Sequence, residues 1–129
     1  GEKVVLDTKI SSGLPDAHIV EDGRISTNTP TGDFNIQVKM ASKHMGSGEL
    51  LYDLDAYILP GVPWCCFFEP VTGVATHGTY WHTNWGTPMS HGCVNLRTDE
   101  AKWLFRWTTP ITPPDAIDKR GRGTRVIVK

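Results

Sequence analysis

Chemistry concentrates in one stretch of the chain. Residues 77–93 (HGTYWHTNWGTPMSHGC) hold three of the five histidines, His77, His82 and His91, together with Cys93. They also hold Gly78, Gly86, Gly92, Trp81 and Trp85. A segment this rich in Gly, His and Trp is poor core material, and loops held by a rigid scaffold are where sites usually sit. A free thiol with a pKa of about 8.5 is mostly protonated at neutral pH, whereas the thiolate is the nucleophile. An imidazole within hydrogen-bond reach can take that proton and leave a thiolate–imidazolium pair. His77 ends a predicted strand, which fixes its ring, and the following loop is long enough to return Cys93 beside it. Gly92 permits an unusual backbone angle just before Cys93. Backbone N–H groups around Gly92 and Cys93 are then positioned to face an oxyanion, each donor being worth about 3–4 kcal/mol in studied enzymes.

The same residues admit other readings. His77, His82, His91 and Cys93 could supply a zinc tetrad, but the set lacks a Cys-x-x-Cys or a helical His-x-x-x-His, so the expected metal is none. Cys65 and Cys66 lie in an apolar run and read as small buried hydrophobes. Three cysteines cannot all pair within one chain. His18 reads as structural, and His44 with Met45 as a flap or surface loop. Trp64, Trp103 and Trp107 read as core, Trp81 and Trp85 as cleft residues. The carboxylates form no evident catalytic pair.

The scaffold reads as β-rich. The 129 residues suit one domain, with 39% hydrophobic and 21% charged residues, ordinary for a globular protein. Thirteen Lys and Arg against 14 Asp and Glu leave a net charge of −1, which argues against nucleic acid as the partner. No apolar run approaches the roughly 18 residues of a transmembrane helix. Val4, Leu6 and Ile10 fall on one face of a period-2 pattern, and His18–Glu21 with Asp22-Gly23 suggests a short strand and a turn. Phe34, Ile36, Val38 and Met40 alternate with polar residues, predicting one strand, followed by a loop over 42–50. Val62–Phe68, bounded by Pro60-Gly61, predicts a buried strand, Val74–His77 a short one and Thr124–Val128 a closing one. One helix is predicted from Thr98 as N-cap to Pro110, with Asp99 and Glu100 in its first turn. The sum is a β-rich α+β domain or a β-sandwich variant.

The string Ser90–Asn95 (SHGCVN), preceded by His77-Gly78-Thr79, resembles the signature of the L,D-transpeptidase catalytic domain family. Thr29–Phe34 (TPTGDF), Leu59–Trp64 (LPGVPW), His77–His82 (HGTYWH), Trp103 and the Thr124–Val128 strand resemble further parts of it, so the likeness covers nearly the whole chain. The resemblance implies a β-sandwich-like domain with one main helix over 1–129, lacking the family's usual first strand. It implies that Cys93 is the nucleophile and His77 the general base, its ring oriented by the Gly78 carbonyl. His91 would support the site and oxyanion pocket, and Ser90, Gly92 and Asn95 would form the motif turn. An oxyanion tyrosine in some members corresponds to Tyr57, with Tyr80 as alternative, and Trp81 would line the cleft.

The implied activity is peptidoglycan cross-linking: a Cys93 thioester forms on a stem peptide, D-Ala leaves, and the amine of a second stem accepts the acyl group. No cofactor is needed. Water or a lipoprotein amine as acceptor, giving an L,D-carboxypeptidase or an anchoring transferase, remains open, as does a wall-binding module without activity. The resemblance also implies an extracytoplasmic location and acylation of Cys93 by carbapenems.

Overall fold

The computed structural model describes residues 3–15, 27–47, 57–113, 116 and 118–129, and of residues 46, 47, 57 and 58 the backbone alone. The predicted strand His18–Glu21, the Asp22-Gly23 turn and His18 itself lie outside these residues. The described strands are β1 (Gly32–Asn35), β2 (Val38–Ser47), β3 (Tyr57–Glu69), β4 (Val74–Gly78), β5 (Val94–Leu96), β6 (Asp118–Arg120) and β7 (Arg125–Val128), and the helix is α1 (Thr98–Trp107). A five-stranded sheet runs β5-β4-β3-β2-β6, and β1 pairs with β7 in a second, two-stranded sheet. All pairings are antiparallel except β4 with β5. This is a mostly β architecture with one helix among the described residues, as the sequence predicts.

β3 is central, and its alternation divides the core. Cys65 and Phe67 join Val62 and Ala75 on one side, where Met45, Leu59, Trp81 and Cys93 pack against them. Cys66 joins Ile36 and Phe105 on the other side, with Trp64 and Val126 beside them. Successive strand residues point to opposite faces, so a strand covered on both sides reads as a continuous apolar run. Helix α1 buries Ala101 and Phe105, four residues apart, on one face.

Several sequence expectations change here. The alternation from Phe34 to Met40 is two strands, because the chain leaves one sheet for the other at Ile36-Gln37. There Ile36 N–H donates to the Thr124 carbonyl and Gln37 N–H to the Phe67 carbonyl, both at 2.8 Å. The expected loop over 42–50 is instead β2 as far as Ser47, paired with a β3 that runs straight through Pro60-Gly61. β4 pairs with β3 only from Cys66 onward, so Pro60 and Pro63 fall where β3 has a single neighbour, a position that tolerates a missing N–H. Val4–Ile10 forms no strand; Val4 and Val5 are exposed, and ladder contacts begin at Ser11. Thr98 lies within the helix, whose N-cap is Arg97 without a side-chain cap bond. Trp103 and Trp107 are not core. They stack on each other on the outer face of α1, ring centroids 5.6 Å apart, with 38% and 56% of their surfaces exposed.

Lys39 on β2 is 1% exposed. Its ammonium donates to the carbonyl of Phe105 and, at 2.8 Å, to that of Thr108, and it lies 4.6 Å from the Phe105 ring centroid. Burial pulls its pKa below the ordinary lysine value. The end of a helix collects unsatisfied carbonyls and partial negative charge, and Lys39 answers both. Lys39→Ala leaves two buried acceptors and a cavity, and urea denaturation should show a loss of about 2–4 kcal/mol. A loss under about 1 kcal/mol would contradict this role.

Candidate active site

The register of β4 and β5 sets the site. Thr76 pairs with Val94, His77 with Asn95 and Gly78 with Leu96. Partners across a ladder share a face, and Cys93 lies two residues before Asn95, so His77, Asn95 and Cys93 project to the same side. That side is a cleft lined by His77, Trp81, Ser90, His91, Cys93 and Asn95, together with Met45 and Leu59. Lys43 and His44 on β2 also line it. The sequence reading makes His44 with Met45 a flap or surface loop and gives Lys43 no part; in the structure all three are on β2, where the register shifts between Lys43 and Met45.

The turn that carries Cys93 is held by side chains from distant parts of the chain. Ser90 Oγ donates to the Cys93 carbonyl at 2.5 Å and accepts the Gly92 N–H at 3.2 Å. The Gly92 N–H is thereby engaged, which removes it from the expected pair of oxyanion donors. Gly92 has φ +122°, a conformation that favours glycine. Thr29, from the TPTG segment, accepts the Gly13 N–H and donates to the Gly92 carbonyl, both at 2.8 Å. Ser11 exchanges two backbone hydrogen bonds with Asn95, at 3.0 and 2.8 Å, and Leu14 N–H donates to the Ser90 carbonyl at 2.8 Å. The N-terminal segment therefore flanks the outer side of β5 and its turn.

The His77 ring nitrogen Nδ1 lies 2.9 Å from the Gly78 carbonyl oxygen. A carbonyl only accepts, so Nδ1 carries the proton and Nε2 the lone pair. His77 is 2% exposed, and its pKa is lowered, first by burial and less by nearby His82, while the Gly78 bond opposes the shift. Burial pushes the Cys93 thiol up, against a lowering from the backbone of Ala75. Both shifts favour neutral groups. Thiol and imidazole line one cleft, and burial disfavours the charged form of each, which works against the expected thiolate–imidazolium pair.

The remaining expected residues fall as follows. Trp81 lines the cleft, its ring centroid 5.7 Å from that of His77. Trp85 does not line it; the ring sits between His82 and the Arg97 guanidinium, each 5.1 Å away. His91 is exposed at the rim. Tyr57 opens β3 opposite Ser47, and its side chain is outside the described residues. The Tyr80 hydroxyl donates to the Pro60 carbonyl at 2.6 Å. Gly78 is close-packed, since a Cβ there would stand 2.9 Å from Pro63 Cγ. Burial raises the Cys65 and Cys66 thiols as it does Cys93, but those two are fully buried, whereas Cys93 is half-buried and lines the cleft. Among the described residues no three His, Cys, Asp or Glu side chains gather as a metal set.

The chain as a whole matches a known class of enzyme. The L,D-transpeptidase catalytic domain model matches residues 1–128, and the chain belongs to that family. It is similar to L,D-transpeptidase 1 of Mycobacterium tuberculosis, 31% identical over 105 residues, covering 74% of this chain and 39% of that protein. Among solved structures, an L,D-transpeptidase from Mycobacterium smegmatis superposes with a TM-score of 0.73 at 26% identity, covering 98% of this chain and 50% of that one. The LD transpeptidase LdtMt1 in complex with imipenem superposes at 0.61 with 30% identity, covering 76% and 42%. The chain thus spans half or less of the length of these relatives.

Gly13 offers a test of the support for the turn. A Cβ there would stand 2.0 Å from the Thr27 carbonyl oxygen, 2.8 Å from Thr29 N and 2.9 Å from Gly92 Cα, all backbone atoms. Gly13→Ala should therefore lower thermal stability and slow alkylation of Cys93 by iodoacetamide about tenfold or more, because the thiol turn must move. An unchanged alkylation rate would show that the N-terminal segment does not set the turn.

Proposed function

We propose that this domain is a cysteine acyl transferase that cross-links peptidoglycan stem peptides. The observation that carries the reading is the shared cleft of Cys93 and a His77 whose Nε2 is held unprotonated by the Nδ1 bond to Gly78. In the first half-reaction the Cys93 proton passes to His77 Nε2 as sulfur bonds to the carbonyl carbon of the third stem residue. The carbon–nitrogen bond to the terminal D-Ala then breaks, and the D-Ala amine takes the proton from His77. A thioester remains. In the second half-reaction the amine of another stem attacks the thioester, loses a proton to His77 and displaces the thiolate, which recovers that proton. Neutral groups at rest suit this sequence, since a buried base with a lowered pKa is ready to accept. With Gly92 N–H engaged by Ser90, the Cys93 N–H is the backbone donor assigned to the oxyanion. The substrate places the domain outside the cytoplasm, and β-lactams of the carbapenem class would acylate Cys93, as expected from the imipenem complex of a relative.

Two experiments test this reading. Incubation with a tetrapeptide stem should release D-Ala and yield dimers, and incubation with imipenem should add one adduct by intact mass. Both should vanish in Cys93→Ala; turnover in that variant, or an adduct on Cys65 or Cys66, would overturn the assignment. Trimmed monomers without dimers would instead identify water as the acceptor.

The pH dependence follows from the direction of the His77 shift. The neutral imidazole is required, so kcat/KM should fall on the acid side with an inflection below the ordinary histidine value of 6.5. Stability follows the same sign. The folded-state pKa lies below the unfolded one, so the contribution from keeping His77 neutral is complete above about 6.5 and is lost as pH falls towards the folded pKa. Denaturant titrations of the parent should weaken through that window more than those of His77→Gln.

A further inference from the structure

His82 has no part in the transfer steps above, yet both of its ring nitrogens are committed. The Asn84 backbone N–H donates to Nδ1 at 3.1 Å, so Nδ1 is an acceptor and carries no proton. In a neutral ring the proton must then sit on Nε2. Nε2 lies 2.9 Å from the side-chain amide of Asn95. A protonated Nε2 requires an oxygen opposite it. A half-turn of the carboxamide that sets the Asn95 amino group toward the ring brings two donors together and leaves Oδ1 buried without a partner among the described residues. Placing Oδ1 against Nε2–H turns the meeting of two donors into a hydrogen bond and gives Oδ1 its partner, while the amino group moves to the other, unbonded position; the hydrogen-bond network decides between the two half-turns.

The consequence lies on the other end of the amide. Asn95 is completely buried, its main chain is bonded to Ser11 on both sides, and it lines the cleft. With Oδ1 held by His82, the amino nitrogen takes the buried position at which the carboxamide makes no hydrogen bond among the described residues. A buried donor without an acceptor is costly, and it is met when an acceptor arrives. We propose that His82 is a positioning residue for the transfer reaction: through Nε2–H it fixes the Asn95 carboxamide so that its amino group is kept for an oxygen atom of the bound acyl-donor peptide. This rests on the acyl-transferase reading. Trp81 and Trp85 flank the imidazole, with ring centroids 6.4 and 5.1 Å away, and hold its plane. Burial lowers the His82 pKa, which keeps the ring in the neutral form the bond requires.

The test compares His82→Phe, which keeps a ring and loses both polar contacts, with His82→Gln, which keeps one donor and one acceptor. Release of D-Ala from a tetrapeptide stem is measured as KM and kcat. Alkylation of Cys93 by iodoacetamide, which needs no peptide positioning, serves as the internal reference. His82→Phe should raise KM about tenfold with alkylation within about twofold of the parent, and His82→Gln should recover most of the loss. Equal KM in His82→Phe and the parent would overturn the proposal. So would a parallel fall in alkylation, which indicates a collapsed site, or failure of His82→Gln to recover. Nitrogen-15 NMR of the parent gives a readout independent of turnover: His82 should be the Nε2–H tautomer at neutral pH, and an Nδ1–H tautomer would refute the assignment. A parent that releases no D-Ala while showing the Nε2–H tautomer would fault the acyl-transferase reading and leave the His82–Asn95 bond standing.

Discussion

The parallel pairing of β4 with β5 is the constraint from which the site follows. Antiparallel strands can be joined by a tight turn, but a parallel neighbour must be reached by carrying the chain back along the sheet. Here that crossover is residues 79–93, and among them no helix or strand forms. The chain must return to the sheet, and it brings Trp81, Ser90, His91 and Cys93 into one cleft with His77 near the end of β4. A crossover without regular structure cannot satisfy its own backbone. The Ser11–Leu14 segment supplies much of what is missing, receiving and giving hydrogen bonds at Met89, Ser90 and Asn95. Thr29 and Ser90 complete the clamp around Gly92. The chemistry of Cys93 is thus held by residues drawn from three separate stretches of the sequence.

Burial at this crossover has two opposed effects. It fixes the imidazole and the thiol, and it also penalises their charged forms. The Gly78 carbonyl resolves part of the conflict for His77 by fixing the tautomer without adding charge. For the thiol, the Gly73 carbonyl 3.6 Å away accepts from the protonated form, while the Ala75 backbone favours the ionised one. In the reaction proposed above, such a site would hold the thiol protonated until bonding begins, since reactivity follows the thiolate.

Much of this was legible in the sequence where local chemistry dominates. The period-2 run at β3, the carboxylates at the start of α1 and the Ser-His-Gly-Cys turn each announce themselves within a few residues. What was not legible depended on distant partners. One alternation over Phe34–Met40 serves two sheets because Thr124 and Phe67 draw its middle residues apart, and nothing local marks that change. Val4–Leu6 has strand-like alternation but no ladder partner among the described residues. Lys39 reads as the polar side of β2 and is instead buried, because its partners are backbone carbonyls a helix away. Trp103 and Trp107 read as core by residue type, while helical spacing from Ala101 and Phe105 puts them on the outer face. His82 was counted among possible metal ligands, and only its two hydrogen bonds reveal a different commitment.

The Lys39 contact carries a consequence for how this helix can vary. The ammonium grips α1 by main-chain oxygens, which every amino acid possesses, so attachment at that end is blind to the identity of the outward residues there. Substitution at Lys102, Trp103 and Arg106 leaves the grip untouched so long as the helix keeps its length and stopping point. Insertion or deletion of a single residue in the last turn would carry the oxygens away from the cation. The outer face is therefore free to diverge in composition, whereas the length of the helix is fixed by one lysine on the neighbouring sheet.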